Sequence, residues 1–329
     1  MSTRAWRVLN RHAFQTCGPA RPDILETGLH AYYFEGADHG IYSLHSHHLK
    51  CIAPPRATAY SERAVRTKLL SPHGGDGRRI VRADLSYGCF FPRMWRGEET
   101  PLSFTGEVAE KLTLAIQSAR LIFDWAAEIF RVVQPCRTNR RAFGLEMRQL
   151  LLAACTEVES NWKAILKAHN VKPKYNDFST RDYVRLLKPL RLNEWEVFMP
   201  GFISVGALRP FGSWSTNSPS KSLRWYDAYN ATKHDRENNL HRASLAVVID
   251  AVAAVYVMLL AQVGPNFLRS SVYSIHDLIA KQVPRWSPSE WYGHEPTWTH
   301  DPVVRQQPFG GVVGWRRCDP TWNAVNYPF

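Results

Sequence analysis

The sequence predicts an α+β chain, mainly α, built on an antiparallel helical bundle over residues 106–270. Three observations carry this. Apolar residues from Val108 to Val133 recur at alternating spacings of four and three. A second stripe, Leu151, Cys155, Val158, Trp162 and Ile165, follows a short proline-containing link. A third, nearly unbroken apolar run extends from Ala243 to Val263. A 3.6-residue period puts apolar side chains on one helix face, and a short link makes neighbouring helices antiparallel.

Residues 1–105 read as an irregular, β-containing portion. The apolar-aromatic runs 30–34, 41–44 and 80–85 are broken by Gly, Pro and His clusters, and Ser71 to Gly77 is a loop. The first helix, from Glu107, is ended by Pro135, and a second is expected from about Arg140 to His169. A shorter one follows from Thr180 to Leu187. Residues 189–219 form an aromatic- and proline-rich excursion with a candidate strand at 201–205. Ser218-Pro219 supplies an N-cap and first-turn proline for the next helix. That helix either continues through Leu260 or breaks near Asn238-Asn239, and Gly264-Pro265 ends the run. The tail, 271–329, holds Trp286, Trp291, Trp298, Trp315 and Trp322 among many prolines. It reads as an extended aromatic strap, with helical period only around 274–281.

A chain of 329 residues that is 45% hydrophobic and 21% charged has the composition of a folded protein. Of the net +12, residues 1–105 carry +5, residues 106–270 carry +7 and the tail is neutral. A basic body fits a polyanion partner such as RNA. The opening residues Met1 to Arg7 contain no apolar run of signal-peptide type. The six cysteines are scattered without a C-x-x-C pair, so reduced thiols in a cytoplasm are expected. Ala243 to Val263 is long enough to span a bilayer, but Asp250 lies in its middle, and a buried bundle helix is the expectation.

The chemistry concentrates in Trp225 to Arg242, which packs two histidines, a lysine, two arginines and several amides just before that apolar run. At about 100° per residue, Asn230, His234 and His241 fall within about 40° of one another. Arg236 stands roughly 140° from His241 on an unbroken helix. The two meet only if the helix breaks or a second subunit supplies its own pair across a two-fold axis. RNA cleavage without a metal needs a base for the 2′-hydroxyl, an acid for the leaving oxygen and a cation for the phosphorane. Histidine suits the first two roles and arginine the third. Asn230 and Asn238 are placed to position phosphate. Glu159, beside the apolar stripe of the second helix, either holds the polar helix or pairs with Lys163 at i,i+4. His45 and His47 would share one face of a strand and supply two zinc ligands. With no matched second pair, exposed loop histidines are the preferred reading and no metal site is expected. Ser71 to Gly77 lacks the pattern of a phosphate loop.

Two long helices with an acidic residue in the second, then a helix with R-x4–6-H, resemble the HEPN superfamily of helical bundles. These are common in bacterial toxins, antiphage systems and RNA-processing enzymes. Arg236 and His241 match the two motif positions. The string Tyr229 to Arg236, with Glu157 to Asn161 upstream, is similar to that of bacterial proteins with HEPN-like bundles. Where the family often has Asn, Asp or His after the arginine, this chain has Glu237. The resemblance covers about 106–265 and implies a metal-independent endoribonuclease of a toxin or antiphage defence system, working as a homodimer without a cofactor. In it, His241 is the acid/base and Arg236 the phosphate ligand. His234 and Lys233 assist, and Asn230 orients. The alternative is a non-catalytic binding or scaffold protein whose bundle and Trp-rich tail mediate assembly. A membrane-associated protein is the weakest reading.

Overall fold

The computed structural model describes residues 4–10, 29–35, 39–45, 48–70, 78–82, 89–90, 94–96, 107–264, 278–282, 315–316, 323–324 and 327–329. Helix dominates them, with seven α-helices. The chain divides into two compact units: residues 1–93 with 285–328, and residues 94–284 with Phe329.

The first unit contains an antiparallel sheet. Its strands are β1 (Ala5–Asn10), β2 (Leu29–Glu35), β3 (Ile41–His45), β4 (His48–Ala53), β5 (Arg78–Arg82) and β9 (Trp315–Arg316), in the order β5-β1-β2-β3-β4-β9. Two shorter strands, β6 (Cys89–Phe90) and β10 (Asn323–Ala324), pair in parallel. Trp6, Tyr33, Ile41 and Ala53 pack with Tyr60 and with Val65 of helix α1 (Glu62–Leu70). One carboxylate is buried there. Burial alone would raise the Glu35 pKa, but the Arg4 guanidinium at 2.6 Å and the Tyr60 N–H at 3.1 Å hold it below the usual value. The histidine cluster falls at the turn of the β3–β4 hairpin. β3 ends at His45 and β4 begins at His48, and the two are Cα partners in the antiparallel pairing. His47 and the loop 71–77 lie outside the described residues.

The second unit is helical: α2 (Glu107–Val132), α3 (Leu145–Ala168), α4 (Thr180–Tyr183), α5 (Arg224–His234), α6 (Arg236–Asn239) and α7 (Leu245–Val263). α2 buries the expected stripe, including Leu112, Ala115, Ala119, Ile122, Ala126 and Ile129. α3 starts later than expected. Residues 138–141 form a 3-10 turn, and Gly144, fully extended at φ −178°, separates it from the helix. The candidate strand at 201–205 is instead a 3-10 turn, Ile203–Val205, followed by Gly206 at φ 81°. Extended backbone lies just before it, where β7 (Glu196–Phe198) pairs with β8 (Ile279–Gln282). β8 also replaces the C-terminal part of the helix expected around 274–281. The rest of the tail falls mostly outside the described residues.

α5 begins at Arg224 rather than after Ser218-Pro219, because those residues are held in a turn. The Trp214 indole donates to Pro219 O at 2.9 Å, and Ser213 Oγ donates to Ser222 O at 2.6 Å. α7 is long and apolar enough to cross a membrane, yet 83% of its most apolar window is buried inside the protein. It packs against α3, α5 and α2. Ala251, Ala253, Ala254 and Ala261, all buried, allow close approach. Near its end a polar seam ties three helices to residue 96. Gln262 donates to Asn161 Oδ1 at 2.7 Å and accepts from the Arg96 N–H at 3.2 Å. Asn161 donates to Glu157 Oε1 at 2.8 Å, and Ser118 of α2 donates to Glu157 Oε2 at 2.7 Å. The Arg96 guanidinium donates to Asn161 and lies 3.7 Å from Glu157. The side-chain polar groups of Gln262, Asn161 and Glu157 thereby find partners, as burial requires.

At α4, Asp182 closes a capping box with Ser179. Burial would raise its pKa, but the N–H groups of Ser179 and Lys174 and the Ser179 hydroxyl, all at 3.0 Å, hold it below the usual value. A depressed native pKa stabilises above the unfolded value and loses that contribution as pH falls through the native one. Asp182→Ala is therefore expected to lose about 1–3 kcal/mol at neutral pH, the worth of a stranded buried hydrogen-bond set. Urea unfolding should show the gap from wild type narrowing in acid. A gap that is constant with pH contradicts this account of the carboxylate.

Candidate nucleic-acid interface

α5 buries Trp225, Tyr226, Ala228, Tyr229 and Thr232, which leaves its charged residues outward. The buried face joins an aromatic cluster centred on Trp162 of α3. The Trp162 ring stacks on Trp214 at 4.8 Å and lies 5.7 Å from Tyr226 and 6.1 Å from Trp225. Beside it, Glu159 accepts hydrogen bonds from two phenols, that of Tyr226 and, at 3.2 Å, that of Tyr229. Burial first, and the Glu159 carboxylate next, push the Tyr226 pKa well up, so the phenol is a committed donor. Lys233 donates to the Tyr229 hydroxyl at 3.1 Å, with its ammonium 5.1 Å from the ring centroid. Glu159 thus reaches the polar helix, and reaches Lys233 through a tyrosine. Lys163, its alternative partner, pairs with Asp177 at 2.8 Å.

The helix carrying the cluster breaks twice. α5 ends at His234, where both Arg148 Nε and Nη2 donate to Thr232 O, at 3.1 and 3.0 Å. A guanidinium at that position also opposes the negative end of the helix dipole. Asp235 leaves the helical region at φ −144°, ψ 85° and caps α6 by accepting from the Asn238 N–H at 3.2 Å. The Asn238 side chain, at 2.8 Å, and its N–H lower the Asp235 pKa. A 3-10 turn, Leu240–Arg242, completes the connection, and Arg242 is ion-paired with Asp227 of α5. The break falls at Asp235, earlier than the expected Asn238-Asn239. The signal is present in the sequence: Asp235 is a preferred N-cap residue type.

Lys233, His234, Arg236, Glu237, Asn238 and His241 are all exposed, and Asn230 is half-buried. Arg236 opens α6 and His241 sits in the following 3-10 turn. No hydrogen bond joins the two, and neither Arg236 nor His234 has an ion pair among the described residues. The His241 ring instead meets Phe143 edge-on, with centroids 6.5 Å apart and planes at 80°. Asn238 is occupied by Asp235, and Lys233 by Tyr229. Arg148 and Phe143 escape sequence reasoning because each acts across a long sequence separation, whereas the Asp227–Arg242 pair depends on the break at Asp235 that folds the stretch back.

Elsewhere in this unit, an apolar cavity of about 360 Å³ is lined by Phe123, Phe130, Met199, Phe202, Ile249 and Val252 among others. Its single charged lining residue, Arg131, is paired with Glu128 at 3.0 Å. Among the described residues no group of three or more His, Cys, Asp and Glu is placed to hold a metal ion. No family model, curated protein or solved structure matches this chain.

Glu159→Gln places an amide against one of the two phenols that donate to the carboxylate. A loss of about 1–2 kcal/mol is expected, read as a lower denaturant midpoint, with Tyr226→Phe similar. Midpoints equal to wild type for both variants contradict a structural role for this clamp.

Proposed function

We propose that this is a HEPN-like protein acting on RNA, a metal-independent endoribonuclease of a toxin or defence system working in the cytoplasm. The observation that carries the reading is the double break around Asp235. It leaves His234 exposed at the end of α5 and Arg236 and His241 exposed on the two short turns that follow, with no carboxylate neutralising Arg236 or His234 among the described residues. A cation and two imidazoles, uncommitted and solvent-facing, form a set suited to a phosphodiester. In this reading His241 transfers protons between the 2′-hydroxyl and the leaving oxygen. Arg236 neutralises the phosphorane, and His234 assists. Asn230 and the Lys233 ammonium border the surface, while Asn238 and Glu159 hold the scaffold. The outward face of α2 supports the homodimer. Leu114, Leu121 and Val132 are 68%, 71% and 85% exposed and share one stripe at helical spacing. The short strands β8, β9 and β10 support a C-terminal tail that is extended where it is described.

The same α2 stripe favours the second reading, a non-catalytic scaffold assembling through that face. One experiment separates them. In EDTA, the full chain is expected to cut RNA and leave 2′,3′-cyclic phosphate ends. His241→Ala and Arg236→Ala should each lower the rate by about 10²-fold or more with the fold intact, the usual scale of acid–base and charge stabilisation. Cleavage unchanged in both variants removes this site from catalysis. No cleavage of any RNA leaves the scaffold reading as the better one.

A further inference from the structure

The turn that delays α3 packs beside the proposed site. Phe143 forms an antiparallel bridge with Ser244, and the Leu245 N–H donates to Ala142 O at 2.8 Å. This fastens residues 138–143 to the start of α7, next to the turn that carries His241. No residue of the 3-10 turn 138–141 is buried, so Arg137, Arg140 and Arg141 project from one short loop. Arg140 feels the Asp250 carboxylate, which is itself hydrogen-bonded by Arg224 at 3.3 Å. Arg137 and Arg141 have no ion pair among the described residues. Two residues after Arg141 comes Phe143, 52% exposed and edge-on to His241. The position of Gly144 beside it opens onto empty space, with nothing within 4 Å of where a side chain would begin.

A half-exposed aromatic ring offers a flat apolar face on which another ring can stack, and its surroundings bear on which. The ring packs against an imidazole and follows a turn of exposed arginines, so the complementary object is flat, apolar on its faces and anionic at its edges. An unpaired nucleotide has that form. Bases in a duplex keep their faces stacked on one another, whereas single strands offer them to aromatic side chains.

Building on the RNA reading above, we propose that Phe143 and His241 form a stacking platform for one unpaired base, with Arg137 and Arg141 holding the flanking phosphates. The substrate is thereby single-stranded RNA. Phe143 positions the strand and moves no proton.

The test is binding of a fluorescent single-stranded RNA and of its duplex to the full chain across a salt series. Phe143→Ala is expected to weaken single-strand binding about 5- to 150-fold, the worth of one stacked base, and to leave duplex binding unchanged. Phe143→Trp should restore it. The double change Arg137→Ala with Arg141→Ala should reduce the slope of log affinity against log salt by about 1.4, two phosphate contacts' worth for a single strand. Because Phe143 is half-exposed, its variant should keep the wild-type melting temperature. Wild type that binds no RNA overturns the RNA reading and the platform together. Wild-type RNA binding that neither variant alters overturns the platform alone, and equal loss on single strand and duplex overturns the stacking.

Discussion

A helix that is apolar on every side survives in water only when every side is covered, and α7 imposes that demand on the second unit. Fully burying one of its valines, leucines or isoleucines stabilises by about 1.5–3 kcal/mol, against about 1–2 kcal/mol to order each backbone residue. α7 is therefore secure only within its packing against α3, α5 and α2. Its polar exceptions obey the same demand. Gln262 is satisfied by Asn161 and by Met258 O at 2.9 Å. Asp250 lies toward the surface, where Arg224 reaches it although burial still raises its pKa. Small residues let the helices approach, and the seam through Arg96, Asn161 and Glu157 fixes their register.

The start of α7 then sets the geometry of the polar turns. Leu245 is anchored to Ala142, so residues 235–244 must run from the buried α5 to that anchor in a short path, and they do so as capped turns at the surface. The residues of this stretch divide into those tied to neighbours and those left at the surface. Asp235 with Asn238, Arg242 with Asp227, and Lys233 with Tyr229 and Glu159 are bound into the scaffold. His234, Arg236 and His241 are left facing solvent.

Periodicity made the long helices legible. The stripe from Leu112 to Ile129 appears buried as read, and the Ala243 to Val263 run is a buried helix. What periodicity does not carry is termination by side chains. Asp235 ends α5 through its own cap, and Gly144 delays α3. Ser218-Pro219 does not begin a helix, because Trp214 and Ser213 hold that segment in a turn. The aromatic excursion misled for a similar reason. Residues 201–205 have the composition of a strand, but the pairing partners β8 and Leu208 meet residues 196–198 instead. At the site, the residue types were readable but their neighbours were not. Phe143 and Arg148 lie far upstream in sequence, and only the packing of α3 on α5 and α7 brings them to the polar turns.

The most direct measurement is photo-crosslinking of a single-stranded RNA to the full chain, with the crosslinked peptides mapped by mass spectrometry. Crosslinks are expected in two segments that the sequence separates, 136–148 and 233–242. Crosslinks confined to other segments would contradict the assignment of this surface to RNA.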